Sequence, residues 1–494
     1  MTATQDTPTL WTGFQVQADA QASAQAKAKA PAQAPAQPQV QNQPQPQSKL
    51  QNQNQAQAQD KTPTTQTQTQ SQAQDPAGYV IPDLFRSYTF PHRYHPHGAA
   101  IADASLVWLA SHAHHVSGTS RGHAGSGSAG SAGRGSGGGE RLLSPSTHSH
   151  LYTTNYGLLA AHAFPTCPLS RLRVIADYMN VFYHMDVITD GAMTRGKDER
   201  RDVDGVAGCV MNALWFPEGY RPMHVDGKVV SEEESVLGKL TRDFWTRCIH
   251  DAGHGVQARF KEHMAEFFDA YNQLQEESDD DDNTETFTDL EELVELRRDT
   301  SGCKMLFDLV EYAVGVELPE VVVDDAVIMA MKENANDLMT WSSDIFSYSI
   351  DHARGDKHNL VAALLDQMNP YGFTLQDAIN HVGDMCRETA QAFKDNKKKV
   401  PWFGVPNLDR AVSEYVEGLQ YLVSAFLHWS FRSERYFGVH GEEVKRTRWV
   451  RMLPKVPIRR KDGKRVCESR ACESVVKGPC AQWKPAINID RVLK

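Results

Sequence analysis

The chain has 494 residues, 40% of them hydrophobic and 23% charged, with a formal net charge of −11. This acidic balance argues against nucleic-acid binding as the main role, because nucleic-acid-binding surfaces are basic. The sequence has no apolar run long enough to cross a bilayer, and its eight cysteines include no C-x-x-C pair that would indicate a zinc ribbon or a thioredoxin-type motif. Reduced thiols and a cytoplasmic location are the simplest interpretation.

The N-terminal segment, residues 1–78, is predicted to be disordered. Of the first 75 residues, 22 are Gln, mixed with Ala, Pro and Thr. Such a composition buries too little apolar surface to offset the entropy lost on ordering. The segment also lacks the apolar core of a secretory signal.

The globular part is predicted to begin at Tyr79, with an extended stretch at Val80–Pro82. Helical spacing follows from Ala102 to His114. Residues 117–139 are mostly Gly, Ser and Ala, which predicts a flexible insertion between two helices. Helical pattern resumes near Ser149 and continues to Pro165.

A strong helical pattern runs from Arg171 to Asp190, with apolar residues at 3.6 spacing. Asp186 and Asp190 lie one turn apart at the predicted C-terminal end of this helix. Carboxylates at that end oppose the helix dipole, which favours positive charge there. The pair is therefore expected to be either solvated or balanced by a cation.

The next region, Glu232 to Glu277, is predicted to form two long helices. Its HDAGH sequence, His250 to His254, resembles a zincin motif, but Gly253 weakens the single helix that such a zinc site needs. The acidic run 276–285 lacks periodicity, so a solvated loop is the expected structure.

Four further helices complete the predicted bundle. They span Leu293–Val316, with a break at Thr300–Gly302, and Val327–Ser349, Leu375–Asn396 and Leu408–Tyr436. Residues 455–494 form a basic, irregular tail to which we assign no function.

The stretch from Trp341 to Asn359 carries the clearest chemical signal. Its side chains Ser343, Ser347 and Asp351 are spaced i, i+4 and i+8, which places them on one face of a helix. Hydroxyl and carboxylate oxygens are hard donors that suit Mg²⁺. Ordinary helix-capping serines are the alternative reading.

A second register offers the same spacing. Asn336, Thr340 and Asp344 lie two turns earlier on almost the same face.

Several blocks in a fixed order accompany this stretch. They are IPDLFRSYTFPHRYHPH (Ile81–His97), TTNYGLLAAHAFP (Thr153–Pro165), LRRDTSGC (Leu296–Cys303), NDLMTW (Asn336–Trp341), DIFSY (Asp344–Tyr348) and RYFGVHGEEVKRTR (Arg435–Arg448). With these blocks the chain resembles the fungal, basidiomycete-like class I terpene synthases, chiefly those that make sesquiterpenes, from about Tyr79 to Pro454.

The resemblance implies an all-α fold: one domain, residues 79–454, forming the class I terpenoid synthase helical bundle around a central apolar cavity. It implies a Mg²⁺-dependent lyase that ionises a prenyl diphosphate, chiefly farnesyl diphosphate, and cyclises it to a sesquiterpene with release of diphosphate. The expected partner is this small molecule, and neither a nucleic-acid partner nor a membrane span is expected. The expected oligomeric state is a monomer or a homodimer.

The resemblance also implies a metal site of three Mg²⁺ ions, with Mn²⁺ as an alternative, between two motifs. The first, usually D-D/E-x-x-D, corresponds to Asp186 and Asp190, with Val187 in its second position. The second, usually N-D-x-x-S-x-x-x-E, corresponds to Ser343, Ser347 and Asp351. Ser and Asp replace the usual Asn and Glu, and each change shortens the reach of a ligand.

Diphosphate contacts are implied for Arg298, Arg435 and Tyr436, with Asp186 and Arg298 taking the catalytic roles. Arg297 is the alternative to Arg298. Aromatic faces attract carbocations through cation–π forces. The candidates for this role are Phe182, Trp341, Phe346, Trp429 and Phe431.

Two other functions fit parts of the sequence. A prenyl chain-elongating transferase would share the bundle and the metals, but it usually carries Asp-rich motifs on both sides. A non-catalytic relative acting as a binding or scaffold protein would account for Val187, Ser343 and Asp351, which depart from the family pattern.

Overall fold

The structure is a computed structural model that describes residues 77–117, 153–195, 200–225, 228–231, 233–277 and 290–455. The segments predicted to be disordered or irregular, namely 1–78, the 117–139 insertion, the 276–285 loop and the 455–494 tail, lie almost entirely outside these ranges. None of the helices in the described ranges is both long and apolar enough to cross a bilayer.

The described residues form an all-α bundle with two small antiparallel ribbons, as predicted. Its fifteen α-helices are α1 (Leu84–Ser87), α2 (Gly98–Ser117), α3 (Tyr156–Ala163), α4 (Leu169–Arg195), α5 (Arg200–Trp215), α6 (Val236–Asp251), α7 (His254–Glu277), α8 (Leu290–Thr300), α9 (Cys303–Val314), α10 (Glu320–Val323), α11 (Ala326–Arg354), α12 (Leu360–Met368), α13 (Leu375–Lys397), α14 (Pro406–Arg432) and α15 (Gly441–Thr447). Strand β1 (Gly78–Val80) pairs with β4 (Trp449–Arg451), and β2 (Met223–Val225) pairs with β3 (Lys228–Ser231).

The 29-residue helix α11 is the centre of the bundle. It packs against α8, α9, α12, α13 and α14. The Asp325 side chain caps its first turn by accepting from the Val327 and Ile328 amides, and Gly355, at φ 77°, ends it in the left-handed conformation. Most of its second half is buried, so polar groups there need partners inside the protein.

The N-terminal and C-terminal segments of the described domain supply such partners to α11. At the N-terminal side, the Tyr79 hydroxyl donates to the Ile345 carbonyl at 3.0 Å, and the Tyr88 hydroxyl lies 2.8 Å from Ser342 Oγ. At the C-terminal side, Ser349 Oγ donates to the Arg451 carbonyl at 3.0 Å. The β1–β4 ribbon, which aligns Tyr79 with Val450, thus clamps this helix from outside.

Several predicted boundaries need correction. Helix α4 continues to Arg195, so Asp186 and Asp190 lie within the helix and not at its end, because Gly191 does not stop it. Helix α14 ends at Arg432, which places Arg435 and Tyr436 in the following turn.

The zincin-like sequence is divided between two helices. His250 lies in the last turn of α6 and His254 begins α7, so the two are not on one helix. His250 pairs instead with Asp251. The predicted break at Thr300–Gly302 is confirmed, since α8 ends at Thr300 and α9 begins at Cys303.

Three histidines stack where α3 and α14 meet the segment before α2. The rings of His92 and His428 lie 3.6 Å apart and nearly parallel, and His92 Nε2 is 3.0 Å from His162 Nδ1. Burial, followed by neighbouring His, Arg432 and Lys445 charges, lowers the pKa of His428 to about 4. Burial, followed by the charges of His92, Arg432 and His428, lowers the pKa of His162 to about 3. The stack is therefore neutral at ordinary pH.

This stack predicts a loss of stability in acid. In the unfolded chain these histidines have a pKa near 6.5, whereas in the folded stack their pKa values are lower. The unfolded state therefore binds more protons between about pH 6.5 and pH 4, and the free energy of unfolding should fall as the pH drops through this range. In His428→Phe, which keeps a flat ring without the charge, the fall should be smaller. Urea unfolding of both proteins at about pH 7 and about pH 5 measures the difference. An equal fall in the two proteins would contradict it.

Candidate active site

The second predicted motif lies on one face of α11. Ser347 Oγ donates to Asp351 Oδ2 at 2.5 Å, and Ser343 Oγ lies 3.0 Å from the hydroxyl of Tyr436. Burial, reinforced by the neighbouring Asp356, raises the pKa of the Asp351 carboxyl to about 6. Two hydroxyls and a carboxylate are therefore presented together from this helix.

Asp186 of the first motif pairs with the guanidinium of Arg435, which lies in the turn after α14. Arg435 donates from Nη2 to Asp186 Oδ2 at 3.0 Å. Its guanidinium also lies over three tyrosine rings, with 5.9 Å to Tyr156, 5.7 Å to Tyr183 and 5.6 Å to Tyr436. This aromatic cage fixes the guanidinium beside the carboxylate.

The turn after α14 links the two motifs. Arg435 contacts Asp186 on α4, and the next residue, Tyr436, contacts Ser343 on α11. The contact of Arg435 with Asp186 thus joins residues that are about 250 positions apart in the chain. The backbone of Asp190 lies one turn further along α4, but its side chain is outside the described part of the structure.

The two adjacent arginines of α8 point to different partners. Arg298 makes a forked pair with Asp337, with both N···O distances at 2.8 Å. Arg297 pairs with Asp344, which lies inside the second motif. Burial alone would lower the pKa of the Arg297 guanidinium, but the Asp344 carboxylate raises it overall, so the arginine stays charged. Its buried Nε has no hydrogen-bond partner among the described residues.

The alternative register of α11 is occupied by contacts that hold the α8–α9 break. Asn336 Oδ1 accepts from Ser301 at 2.9 Å and from Thr340 at 3.0 Å, and its Nδ2 donates to the Arg298 carbonyl. Asn336 and Thr340 therefore serve the helix junction.

The α8–α9 break itself closes on an aromatic ring. Gly302 has φ 71°, and a Cβ at this position would overlap the ring of Phe182. Phe182 is one helical turn before Asp186, so both lie on the same face of α4. The side chains of Phe346, Trp429 and Phe431 are buried around Tyr436 and Phe437, where they form core.

Sequence reasoning missed three residues of this site. Tyr156 and Tyr183 form part of the cage around Arg435, and they stood in the sequence only as members of a block and of an apolar stripe. Asn359, fully buried at the start of α12, donates from Nδ2 to Asp351 Oδ2 at 2.9 Å. Its place at the end of the DIFSY-containing stretch was the available signal.

The donor chemistry of the site fits a hard divalent cation. Asp186, Ser343, Ser347 and Asp351 offer only oxygen atoms, which Mg²⁺ prefers. No group of three or more His, Cys, Asp or Glu side chains suited to a metal occurs in the described ranges.

An all-α bundle with facing carboxylate and hydroxyl motifs, closed by an Arg-Tyr pair, defines a class I terpenoid synthase. Residues 177–392 match the family model described as "Terpene synthase family 2, C-terminal metal binding". That range contains both motifs and the two adjacent arginines.

Curated fungal proteins are similar over most of the chain. Alpha-muurolene synthase of Coprinopsis cinerea is 40% identical over 78% of this chain and 80% of its own length. Sesquiterpene synthase Agr3 of Cyclocybe aegerita is 41% identical over 77% of this chain and 95% of its own. The chain therefore belongs to the terpene synthase family.

Solved structures confirm the fold. Germacradien-4-ol synthase of Streptomyces citricolor aligns over 69% of this chain and 96% of its own, with a TM-score of 0.51 and 19% identity. The linalool/nerolidol synthase of Streptomyces clavuligerus aligns over 69% and 98%, with a TM-score of 0.50 and 17% identity.

Proposed function

We propose that this protein is a sesquiterpene synthase that ionises farnesyl diphosphate, cyclises the resulting cation and releases diphosphate. The observation that carries the proposal is the pair of contacts Asp186–Arg435 and Tyr436–Ser343, through which the turn after α14 joins the motif on α4 to the motif on α11. The names of relatives at 40% and 41% identity support the sesquiterpene product and thus the fifteen-carbon substrate.

We assign metal binding to Asp186 and Asp190 on α4 and to Ser343, Ser347 and Asp351 on α11. Three Mg²⁺ ions are the expected complement, with Mn²⁺ as an alternative. When bound, the ions would supply positive charge to the leaving diphosphate. The shorter Ser343 and Asp351 side chains should weaken the metal binding on the α11 side.

Arg435 and Tyr436 are assigned to the diphosphate. Arg435 is a forked donor that is held ready by Asp186 and by its cage, and Tyr436 adds a hydroxyl beside Ser343. When an anion arrives, Arg435 can exchange part of its contact with Asp186 for the phosphate oxygens and leave the carboxylate for the metal.

We assign the third diphosphate contact to Arg297, the alternative to Arg298. Arg297 is the arginine that contacts the second motif, and its Nε is without a partner in the described residues. Arg298 donates from Nε and Nη2 to the Asp337 carboxylate, which lies outside that motif.

Once the diphosphate leaves, the protein must shield a carbocation from water. Phe182, on the same face of α4 as Asp186 and against the α8–α9 break, is our candidate ring for this role. Phe346, Trp429 and Phe431 are already packed as core around Tyr436.

The other two functions are separable by one incubation. Farnesyl diphosphate with Mg²⁺ should give volatile hydrocarbons or alcohols, detected by gas chromatography. Longer prenyl diphosphates would indicate the chain-elongating transferase, and no turnover at all would indicate the non-catalytic relative. We propose that the protein is cytoplasmic. We also propose that it is a monomer or a homodimer, and native mass spectrometry would test this oligomeric state.

Asp186→Ala is expected to lower turnover of farnesyl diphosphate by at least about a hundredfold, as for loss of a key electrostatic stabiliser. The variant removes a metal ligand and also leaves Arg435 without its carboxylate partner. Asp384→Ala, on the exposed face of α13, is the matched control and should keep wild-type turnover. Equal turnover in the two variants would refute the metal assignment.

Arg297→Lys should lower turnover by at least about tenfold, because a lysine keeps the charge but loses the forked geometry that suits phosphate. Arg298→Lys should cost much less, since its partner is Asp337. Steady-state kinetics compares the two, with melting temperatures to exclude unfolding. The opposite ranking would return the diphosphate contact to Arg298.

Restoring the usual ligands tests the register on α11. The double variant Ser343→Asn with Asp351→Glu should raise turnover or lower the Mg²⁺ concentration for half-maximal activity, because both ligands regain reach. Asn336→Ser with Thr340→Ala tests the other register. Greater loss of Mg²⁺ response in this second pair than in Ser343→Ala would contradict our assignment.

A further inference from the structure

Asn359 connects the second metal motif to the next helix. It is 0% exposed and forms the N-cap of α12, where its Oδ1 accepts from the Val361 amide at 2.9 Å and the Ala362 amide at 3.3 Å. This capping role uses only the carbonyl side of the amide.

The amide nitrogen of Asn359 is directed at α11. Nδ2 donates to Asp351 Oδ2 and to the Asp344 carbonyl, both at 2.9 Å, and lies 3.4 Å from Ser347 Oγ. The two short contacts use both N–H groups of the amide. Asn359 therefore holds two positions of the motif while it caps the following helix.

The contact orients the Asp351 carboxylate. Oδ2 receives hydrogen bonds from both Asn359 and Ser347, whereas Oδ1 receives none from the described residues. One oxygen is thus held by the protein, and the other is the natural metal donor.

The neighbouring residue reinforces this arrangement. The Leu360 amide donates to Asp344 Oδ2 at 2.9 Å, so the start of α12 fixes both aspartates of the motif. The Asp351 side chain is shorter than the usual Glu and can reach fewer positions. Its coordination of a metal therefore depends more strongly on how the carboxylate is oriented.

We propose that Asn359 is a positioning residue that sets the metal affinity of the α11 side by holding the Asp351 carboxylate in its ligating orientation. This inference rests on the proposed function. Of the residues that cap helices well, Asn alone among the neutral ones combines a capping acceptor with two N–H donors. Partners that orient metal ligands typically change metal affinity by about 10- to 100-fold when removed.

The test uses the full chain and the variant Asn359→Ser, which retains a capping oxygen but loses both donors. The melting temperature is followed while Mg²⁺ is titrated with excess inorganic diphosphate. The Mg²⁺ concentration at half-maximal stabilisation should rise about 10- to 100-fold in the variant. In turnover assays, excess Mg²⁺ should recover most of kcat.

Two controls separate positioning from a purely structural role. Asn359→Ala also loses the cap, so it should melt lower than Asn359→Ser but show the same shift in Mg²⁺ midpoint. Asn212→Ser, on α5, removes a comparable buried amide contact to the Arg221 carbonyl and should keep the wild-type midpoint.

Each outcome decides the matter. If both Asn359 variants melt lower but keep the wild-type Mg²⁺ midpoint, Asn359 is only a helix cap and the proposal is overturned. If the wild-type protein itself shows no response to Mg²⁺ and diphosphate and forms no terpene, the proposed function fails together with this inference.

Discussion

The pairing of Arg435 with Asp186 is the contact on which the site depends. A carboxylate half-buried in a helical bundle needs a compensating charge, because desolvation of an unpaired ion is costly. The turn after α14 supplies that charge and, through Tyr436, reaches Ser343 on α11. One short segment therefore sets the separation and facing of two helices that are distant in sequence, and the same segment carries the groups suited to an incoming anion.

Helix α11 shows how a buried helix can carry many polar side chains. Each polar group needs a partner that is equally buried, and these partners come from different parts of the chain. Arg297 from α8 pairs with Asp344, Ser301 from the helix break bonds Asn336, and Tyr88 from the N-terminal segment meets Ser342. The network fixes the rotation of α11, and with it the direction of the face that carries Ser343, Ser347 and Asp351.

Periodicity and turn chemistry predicted most of the bundle, including the break before Cys303, but not the details that depend on tertiary contacts. The helical pattern predicted an end at Asp190, yet α4 continues to Arg195. Arg297 and Arg298 differ by only about 100° around one helix, so spacing alone could not separate them. Helical spacing could not identify Asn359 as a partner of Asp351, because the turn at Gly355 that brings them together has no periodic signature. The candidate motif Ser343, Ser347 and Asp351 could be predicted from the sequence because its i, i+4, i+8 pattern is local.

The ribbon of β1 and β4 gives this bundle an unusual order of assembly. Tyr79 pairs with Val450, about 370 residues later, so the first strand made waits for a partner near the end of the domain. Closing so long a loop raises the contact order and slows folding, although its entropic cost grows only logarithmically with length. During synthesis, α11 would leave the ribosome before its outer clamp exists. The face of α11 that carries Ser343, Ser347 and Asp351 can therefore reach its final geometry only after translation of the domain is nearly complete.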